Sequence, residues 1–390
     1  MRLRHDPLEV VVNVRIVEAL ADALQGIASY VKQQGLNWQI HCVDAEEFTK
    51  MVRRGAPDSA ITTISPKQPE MIAAVQRIGL PVVNLFHNLE PEIPSVLSDD
   101  ESIGREAAEY LLRCGFRSFS FLGLSATWSD ARQRGFMQAL RLPARESLID
   151  ITPPLVLHAR TINSVRSIRR RQKWLASLQL PSAVLVSNDF LATLLLNDCN
   201  ALKIRVPEDL AVLGVDNLVR TCELARVPLS SVAQDFSRIG FEAARVLDLL
   251  VSKKARPRGP ILVPPGNLAP RRSTDVLAFE DPHVSTAMRV IQQSAHAGLQ
   301  MKELLRQVPV SRRWLDARFK TLVGHTPAEE IRRLRLERIR DLLSQTDLSV
   351  KEIAIRCGFT CGENMVRFFR DGYGVPPTVY RKQRNRIASA

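Results

Sequence analysis

Three segments of this 390-residue chain place an amide or a carboxylate directly after an apolar run: Val10-Val11-Val12-Asn13, Leu185-Val186-Ser187-Asn188-Asp189 and Leu213-Gly214-Val215-Asp216. A fourth, Val82-Val83-Asn84, follows the same pattern. If such runs are parallel strands, their carboxyl ends line a crevice, and the polar groups converge where ligands bind. Asn13, Asn188, Asp189 and Asp216 are therefore candidate ligand contacts. The same residue types also cap helices, and Asp189 stands directly before a helical stretch starting at Phe190.

A second chemistry lies near the C-terminus. Ser349-Val350-Lys351-Glu352 is a capping box, in which Ser349 and Glu352 satisfy each other's orphan amides and start a helix. It stops at Cys357-Gly358, and a further helix begins near Cys361. The small Ala354 lets the two cross closely, with Ile353, Met365 and Phe369 as the apolar side. This is a helix-turn-helix pattern. Met365 and Phe369, four apart, turn Glu363, Asn364, Arg367 and Arg370 outward, and Asn and Arg suit bidentate contacts to adenine and guanine edges. A lone charged face of this kind is more simply a solvated one.

An earlier copy changes that balance. Met301–Val308 forms one helix, and Ser311 caps another, Arg312–Leu322, whose Leu315 and Phe319 point inward while Arg312, Arg313, Asp316 and Lys320 point outward. Between the copies, Thr326-Pro327-Ala328-Glu329 opens a long helix to about Gln345 that would hold both units rigidly. Two such helices enter successive major grooves of double-stranded DNA when they lie roughly 34 Å apart. Arg332, Arg333, Arg335, Arg338 and Arg340 read as phosphate contacts or solubilising charges. Arg381, Lys382, Arg384 and Arg386 read as a phosphate-binding tail.

The elements that must position these groups differ between the two regions. From Leu8 to about Asp275, β-branched runs (Leu8–Val12, Trp38–Val43, Ala60–Thr63, Pro81–Val83, Ser118–Leu122, Ala183–Ser187, Leu210–Val215) alternate with amphipathic stretches. The latter are Glu18–Gln34, Ser102–Cys114, Asp130–Leu140, Asn163–Leu178, Phe190–Leu202 and Phe236–Leu250. Such an order predicts α/β with a mostly parallel sheet covered on both faces. The proline-rich Ser252–Asp275 reads as a final strand, Ile261–Val263, and a linker, and the text beyond is helical. The domains are thus 1–257, a linker 258–278 and an all-α 279–390. In Arg166–Lys173, Val165, Ile168 and Trp174 or Leu175 mark a helix whose charged side is wet.

Charge follows the same division. The chain carries 54 Lys and Arg against 41 Asp and Glu, a net of +13. From Glu280 onward there are 20 against 12, a net of +8, leaving 34 against 29 for the first 279 residues. A basic excess in a helical tail points to a polyanion. No apolar run is long enough for a membrane span, and the N-terminus lacks a signal-peptide core, so a cytoplasmic, non-membrane protein is expected. The six cysteines read as reduced thiols, and Cys357 and Cys361 lack the His partners of a metal site. The motifs GxSxG, GxxxxGK[ST], HExxH and GxGxxG after the first strand are all missing, so catalysis and a cofactor are not expected.

Val350–Arg381 resembles the signature of AraC-type transcription regulators in Ile353-Ala354, Gly358-Phe359, Phe368-Phe369-Arg370, Gly374, Pro377 and Tyr380-Arg381. In the first unit Pro309 stands where that family commonly has Gly, and Pro cannot adopt a left-handed conformation, so the first turn is expected to differ. The segments Asp99-Asp100, Gly104, Ala107-Ala108, Cys114-Gly115-Phe116, Arg132-Gln133-Arg134-Gly135-Phe136, Ser187-Asn188-Asp189 and Val206–Asn217 are similar to the effector-binding core of LacI/GalR-type repressors. That likeness implies a two-lobed, periplasmic-binding-protein-like sensor. It places Arg132, Asn188 or Asp189, and Asp216 on ligand hydroxyls, which suit a guanidinium fork and carboxylates. Trp128 is then a stacking face for a sugar, or a core residue. A sensor of this type fused to an AraC-type tail resembles regulators that activate pentose catabolism genes on binding D-xylose, and implies a homodimer. Other readings of the same architecture are a different sugar, repression, or a DNA-architectural protein that binds nothing small.

Overall fold

The computed structural model describes residues 7–13, 17–55, 57–141, 149–253, 257–276, 278–279, 281–346 and 348–381. The chain divides into two compact units, Met1–Tyr110 with Arg117–Asp275, and Val276–Ala390 with Leu111–Phe116. The change of unit after Asp275 falls inside the expected linker.

The first unit holds two sheets. One runs Ile261–Val263, Ser95–Ser98, Val82–Leu85, Ser59–Thr62, Leu8–Asn13, Trp38–Cys42, and is parallel throughout. The other runs Leu268–Ala269, Ser230–Ala233, Leu210–Asp216, Ser182–Val186, Ser118–Leu124, Asp150–Ile151, with Leu155–Leu157 also on Ser118–Leu124. It is parallel except for Leu268–Ala269. Strands such as Ser118–Leu124, Ser182–Val186 and Leu210–Asp216 are buried at every residue, because helices cover both faces. The expected two-lobed α/β architecture is therefore present, as two sheets rather than one.

Each lobe carries its own core. Val10, Val12, Ile27, Ile61 and Val83 pack with Ile239, Ala243 and Leu247 of the helix Phe236–Val251. Leu122, Val184, Leu195 and Val212 fill the second lobe. The chain crosses between sheets after Ser98, after Ala233 and after Val263. These crossings are cross-linked: the Asp99 amide donates to the Val263 carbonyl at 2.8 Å, and the Gly266 amide to that of Ala233 at 2.8 Å. Residues 264–275 are thus not a free tether. Leu268–Ala269 joins the second sheet, and Ser273 Oγ donates to the Val212 carbonyl at 2.6 Å.

Val165–Leu175 is a helix with Trp174 and Leu175 buried and Arg166, Arg169, Arg170 and Lys173 exposed, as expected, but two positions depart from that pattern. Val165 is exposed, whereas Arg171 is buried and donates to Asp198 and to the Ile162 carbonyl. The interior of this lobe offers a carboxylate, and a paired guanidinium is tolerated there where a bare one is not.

The second unit has two small cores joined by one helix. Pro327–Gln345 gives Ile331 to the first, with Leu304, Leu315 and Phe319, and Ile339, Leu342 and Leu343 to the second, with Ile353, Met365 and Phe369. The Thr326 and Ser349 capping boxes are both formed. The two turns differ, as Pro309 requires. Gly358 is left-handed at φ 69°, while Val308 ends its helix in extended conformation, φ −118°.

Candidate functional site

Carboxyl ends of strands from both lobes meet around one guanidinium. The strand Ser118–Leu124 feeds the helix Thr127–Leu140, which carries Arg132, and the strand Leu210–Asp216 ends on Asp216. The strand Ser95–Ser98 leads into Asp100, and Gln234 follows Ser230–Ala233. The helix bearing Arg132 can lie this close to Asp100–Arg113 because Gly104 and Gly135 face the other helix. A Cβ on either would sit 2.0 Å from the opposing backbone, at the Arg132 and Glu101 carbonyls respectively.

Arg132 is 3% exposed. Its Nε donates to Asp100 Oδ1 at 2.8 Å, and its Nη1 to Asp216 Oδ1 at 3.3 Å and to the Ser187 carbonyl. The half-buried Trp128 ring lies against it, 4.8 Å from the guanidinium carbon to the centroid. Trp128 packs on the second-lobe core, the second of the two roles expected for it, and turns a face toward Arg132. Gln234 Nε2 also donates to Asp216 Oδ1, and Ser98 Oγ to Gln234 Oε1, so the chain of bonds spans both lobes.

Burial works against the Arg132 charge, but Asp100 and Asp216 outweigh it and hold the group protonated. Burial lifts the Asp216 carboxyl to about 6 despite the Arg132 charge, and raises that of Asp100 as well. The Asp216 backbone is left-handed at φ 109°, followed by Asn217 at φ 51°. Such backbone is costly for residues with a Cβ and clusters where a surrounding network imposes it. Here Ser231 Oγ accepts from the Asn217 amide at 2.9 Å, and Asn217 Oδ1 accepts from Arg271 at 3.0 Å.

The other expected ligand contacts have different surroundings. Asn188 caps the helix Asp189–Ala201 by accepting from the Leu191 amide at 2.9 Å, so the capping role expected of Asp189 falls to its neighbour. Asp189 points inward and is fully buried. It accepts from the Leu218 amide at 2.8 Å, Ser231 Oγ at 2.7 Å and Cys222 Sγ at 3.3 Å. Burial and then the nearby Asp216 charge push its carboxyl up to about 7. Gly214 makes room for it, since a Cβ there would stand 2.2 Å from Asp189 Oδ1. Asn13, on the first-lobe sheet, donates to the Val43 carbonyl at 2.9 Å. Sequence reasoning misses Gln234, Ser98 and Asp100 as contacts; the one signal they carry is that each follows or ends a strand, as Asp216 does.

In the tail, Leu315, Phe319, Met365 and Phe369 are fully buried, and Arg312, Arg313, Lys320, Glu363, Asn364, Arg367 and Arg370 are exposed or half-exposed. Asp316 is half-buried and pairs with Arg312 at 3.6 Å. Beside the second of these helices lies a shallow groove of about 940 Å³, lined by Ile355, Thr360, Glu363, Val366, Arg367 and Arg370 among others.

Several cations expected at phosphates are instead structural. Arg333 is bound to Glu330 and Glu337, and Arg340 to Asp341. Arg335 lies over Phe359, 4.0 Å from its centroid, and donates to the Cys357 carbonyl at 3.0 Å. Arg381 donates to the Leu343 and Thr346 carbonyls at 3.1 and 3.2 Å, closing the end of the long helix. Helix C-termini leave carbonyls that a planar guanidinium satisfies well. Arg332 and Arg338 keep access to solvent, and Lys382, Arg384 and Arg386 lie outside the described residues. All six cysteines are free thiols. Among the described residues there is no cluster suited to a metal, and no helix long and apolar enough to cross a membrane.

Comparison with known proteins agrees with this layout. Residues 17–152 match the family of periplasmic binding proteins and sugar-binding domains of the LacI family, and residues 108–274 a periplasmic binding protein-like domain. Residues 304–383 match a helix-turn-helix domain family. The xylose operon regulatory protein of Escherichia coli K12 is 30% identical over 92% of this chain and 92% of its own length. That of Haemophilus influenzae is 28% identical over 92% and 94%. The solved structure of the xylose-binding transcription activator xylR superposes with a TM-score of 0.59 at 28% identity, covering 97% of this chain and 99% of that one.

Proposed function

Because the chain belongs to the family of xylose operon regulatory proteins, a class of sugar-responsive DNA-binding transcription regulators and not enzymes, we propose that its effector is D-xylose, gripped by Arg132 and Asp216. What supports this reading is the buried guanidinium held between Asp100 and Asp216 at the carboxyl ends of strands. Ionised carboxylates accept from vicinal hydroxyls and a guanidinium donates to them, so a pentose replaces partners these groups now find in each other. Trp128 supplies a flat apolar wall for the sugar face. Asp189 and Asn188 act from behind, holding the Leu218 and Leu191 backbones, and Asn13 fixes the opposite lobe.

Sugar binding favours one arrangement of the lobes about the three crossings, and the free energy available for regulation is the difference in affinity between arrangements. In a homodimer, the paired tails then present Arg312, Arg313, Asn364 and Arg367 to base edges. Asp316, Lys320, Glu363 and Arg370 flank them.

Titration calorimetry with D-xylose and its epimers tests the effector. Asp216→Asn removes a charge-assisted acceptor, for which a loss of about 1.5–3 kcal/mol, or roughly 10- to 150-fold in affinity, is expected. DNA binding without sugar should be unaltered. Full retention of the sugar response would remove Asp216 from the site. For the tail, Arg367→Ala should cost about 1–3 kcal/mol and relax preference at one base position in a binding-site selection. Equal weakening on every sequence would make Arg367 a phosphate contact.

A further inference from the structure

Residues 151–188 contain six Arg and Lys and no Asp or Glu. Four of the cations, Arg166, Arg169, Arg170 and Lys173, occupy the helix Val165–Leu175 at spacings of three and four. All four are exposed, and they form one stripe because residues three and four apart are neighbours on a helix surface. The fifth cation of that helix, Arg171, turns inward to Asp198 and so anchors the helix with the stripe outward. Among the described residues, none of the four takes part in an ion pair. Exposed Arg160 precedes the helix in the short turn Ala159–Thr161.

Like charges at these spacings destabilise a helix, so the stripe weakens its own element. Other helices of this protein set acids beside some of their cations: Arg238 and Arg245 pair with Glu242, and Arg333 with Glu330 and Glu337. The stripe is about 10 Å long at 1.5 Å per residue, which spans neighbouring phosphates along a duplex. The occupant that fits is a polyanion, and this chain carries a DNA-binding domain, so duplex tethered through the tail is present at high effective concentration.

We propose that Arg166, Arg169, Arg170 and Lys173 form a second, sequence-independent DNA-backbone contact on the sensor domain, separate from the tail. It adds affinity to DNA longer than the tail alone covers.

The test uses the full-length protein and fluorescence anisotropy on arbitrary duplexes of about 20 and about 60 bp over a salt series. In the R166Q/R169Q/R170Q/K173Q variant, the slope of log affinity against log salt on the long duplex should fall by about 0.9 for each phosphate left unneutralised, summed over two or more phosphates. The gain in affinity from short to long duplex should shrink with it. A charge-retaining R166K/R169K/R170K variant should keep the parental slope, as should R53Q/R54Q on the distant helix Ala45–Arg54. The neutral variant should unfold no more easily than the parent, since like-charge repulsion is relieved. An unchanged slope and length effect in the neutral variant overturns the proposal, as does an equal fall in R53Q/R54Q. A difference seen only toward poly-glutamate would make the stripe a protein-docking face and likewise overturn it.

Discussion

Arg132→Met is expected to destabilise the sensor unit by about 3–5 kcal/mol and to abolish the response to sugar. The side chain is 3% exposed and sits between two carboxylates that burial already penalises. Met keeps the apolar stem of the side chain but ends near the position of Nε, so the destabilisation comes chiefly from stranding Asp100 and Asp216 without a cation. Removing the Arg raises both carboxyls further and gives the effect a defined pH dependence. A buried acid with a raised native value favours folding while protonated, and that contribution is lost as pH rises through the native value. In the parent the Asp216 part is lost between the ordinary carboxyl range and about pH 6. In the variant the decline extends to higher pH. The gap between the two proteins should therefore be widest at neutral pH and narrow as pH falls toward 4. Urea denaturation of parent and variant across this range measures it, and a gap independent of pH would mean that Arg132 stabilises by packing alone.

How much of this site is legible in sequence follows from how local each signal is. The capping boxes at Thr326 and Ser349 close over three residues, so their helices can be placed from the text, and Leu315/Phe319 and Met365/Phe369 repeat within a single turn. Asp216 can be found because the run before it is so apolar. Gln234 and Ser98 complete the same site from 136 residues apart, a pairing created only when the crossings lie side by side. The fates of Arg335 and Arg381 depend on carbonyls 22 and 38 residues away, and a charge count cannot separate such cations from those that reach solvent. The helices Ala45–Arg54 and Pro69–Arg77 escape a reading by periodicity, although Asp44, three before Glu47, caps the first and the left-handed Gly55 ends it. Both are amphipathic, but they are short and bury only Phe48 and Val52 or Val75, too few apolar positions to stand out as a period. Asp150–Ile151 and Leu155–Leu157 are too short to carry an alternation at all.

The other large effect lies in the tail. Phe369→Ala should cost about 3–5 kcal/mol, the usual range for deleting a buried phenyl ring, and melt the second helix-turn-helix unit. Its ring is fully buried, stacked on Tyr373 at 4.7 Å between centroids and edge-on to Tyr380 at 5.4 Å. The cluster it belongs to has eight buried residues, against thirteen around its counterpart Phe319, so a ring-sized void is a larger share of what holds the unit together. The first unit keeps its own core through Ile331 and the N-terminal half of the long helix, and it should stay folded in the variant. DNA protection should then disappear over the half of the footprint proposed for Asn364 and Arg367 and persist over the half proposed for Arg312 and Arg313. Hydrogen exchange should show fast exchange confined to residues beyond about the middle of Pro327–Gln345, and the sugar response of the sensor should be untouched. An intact two-part footprint in Phe369→Ala would mean that the second unit does not depend on this core, and disappearance of both halves at once would mean that the two units fold as one.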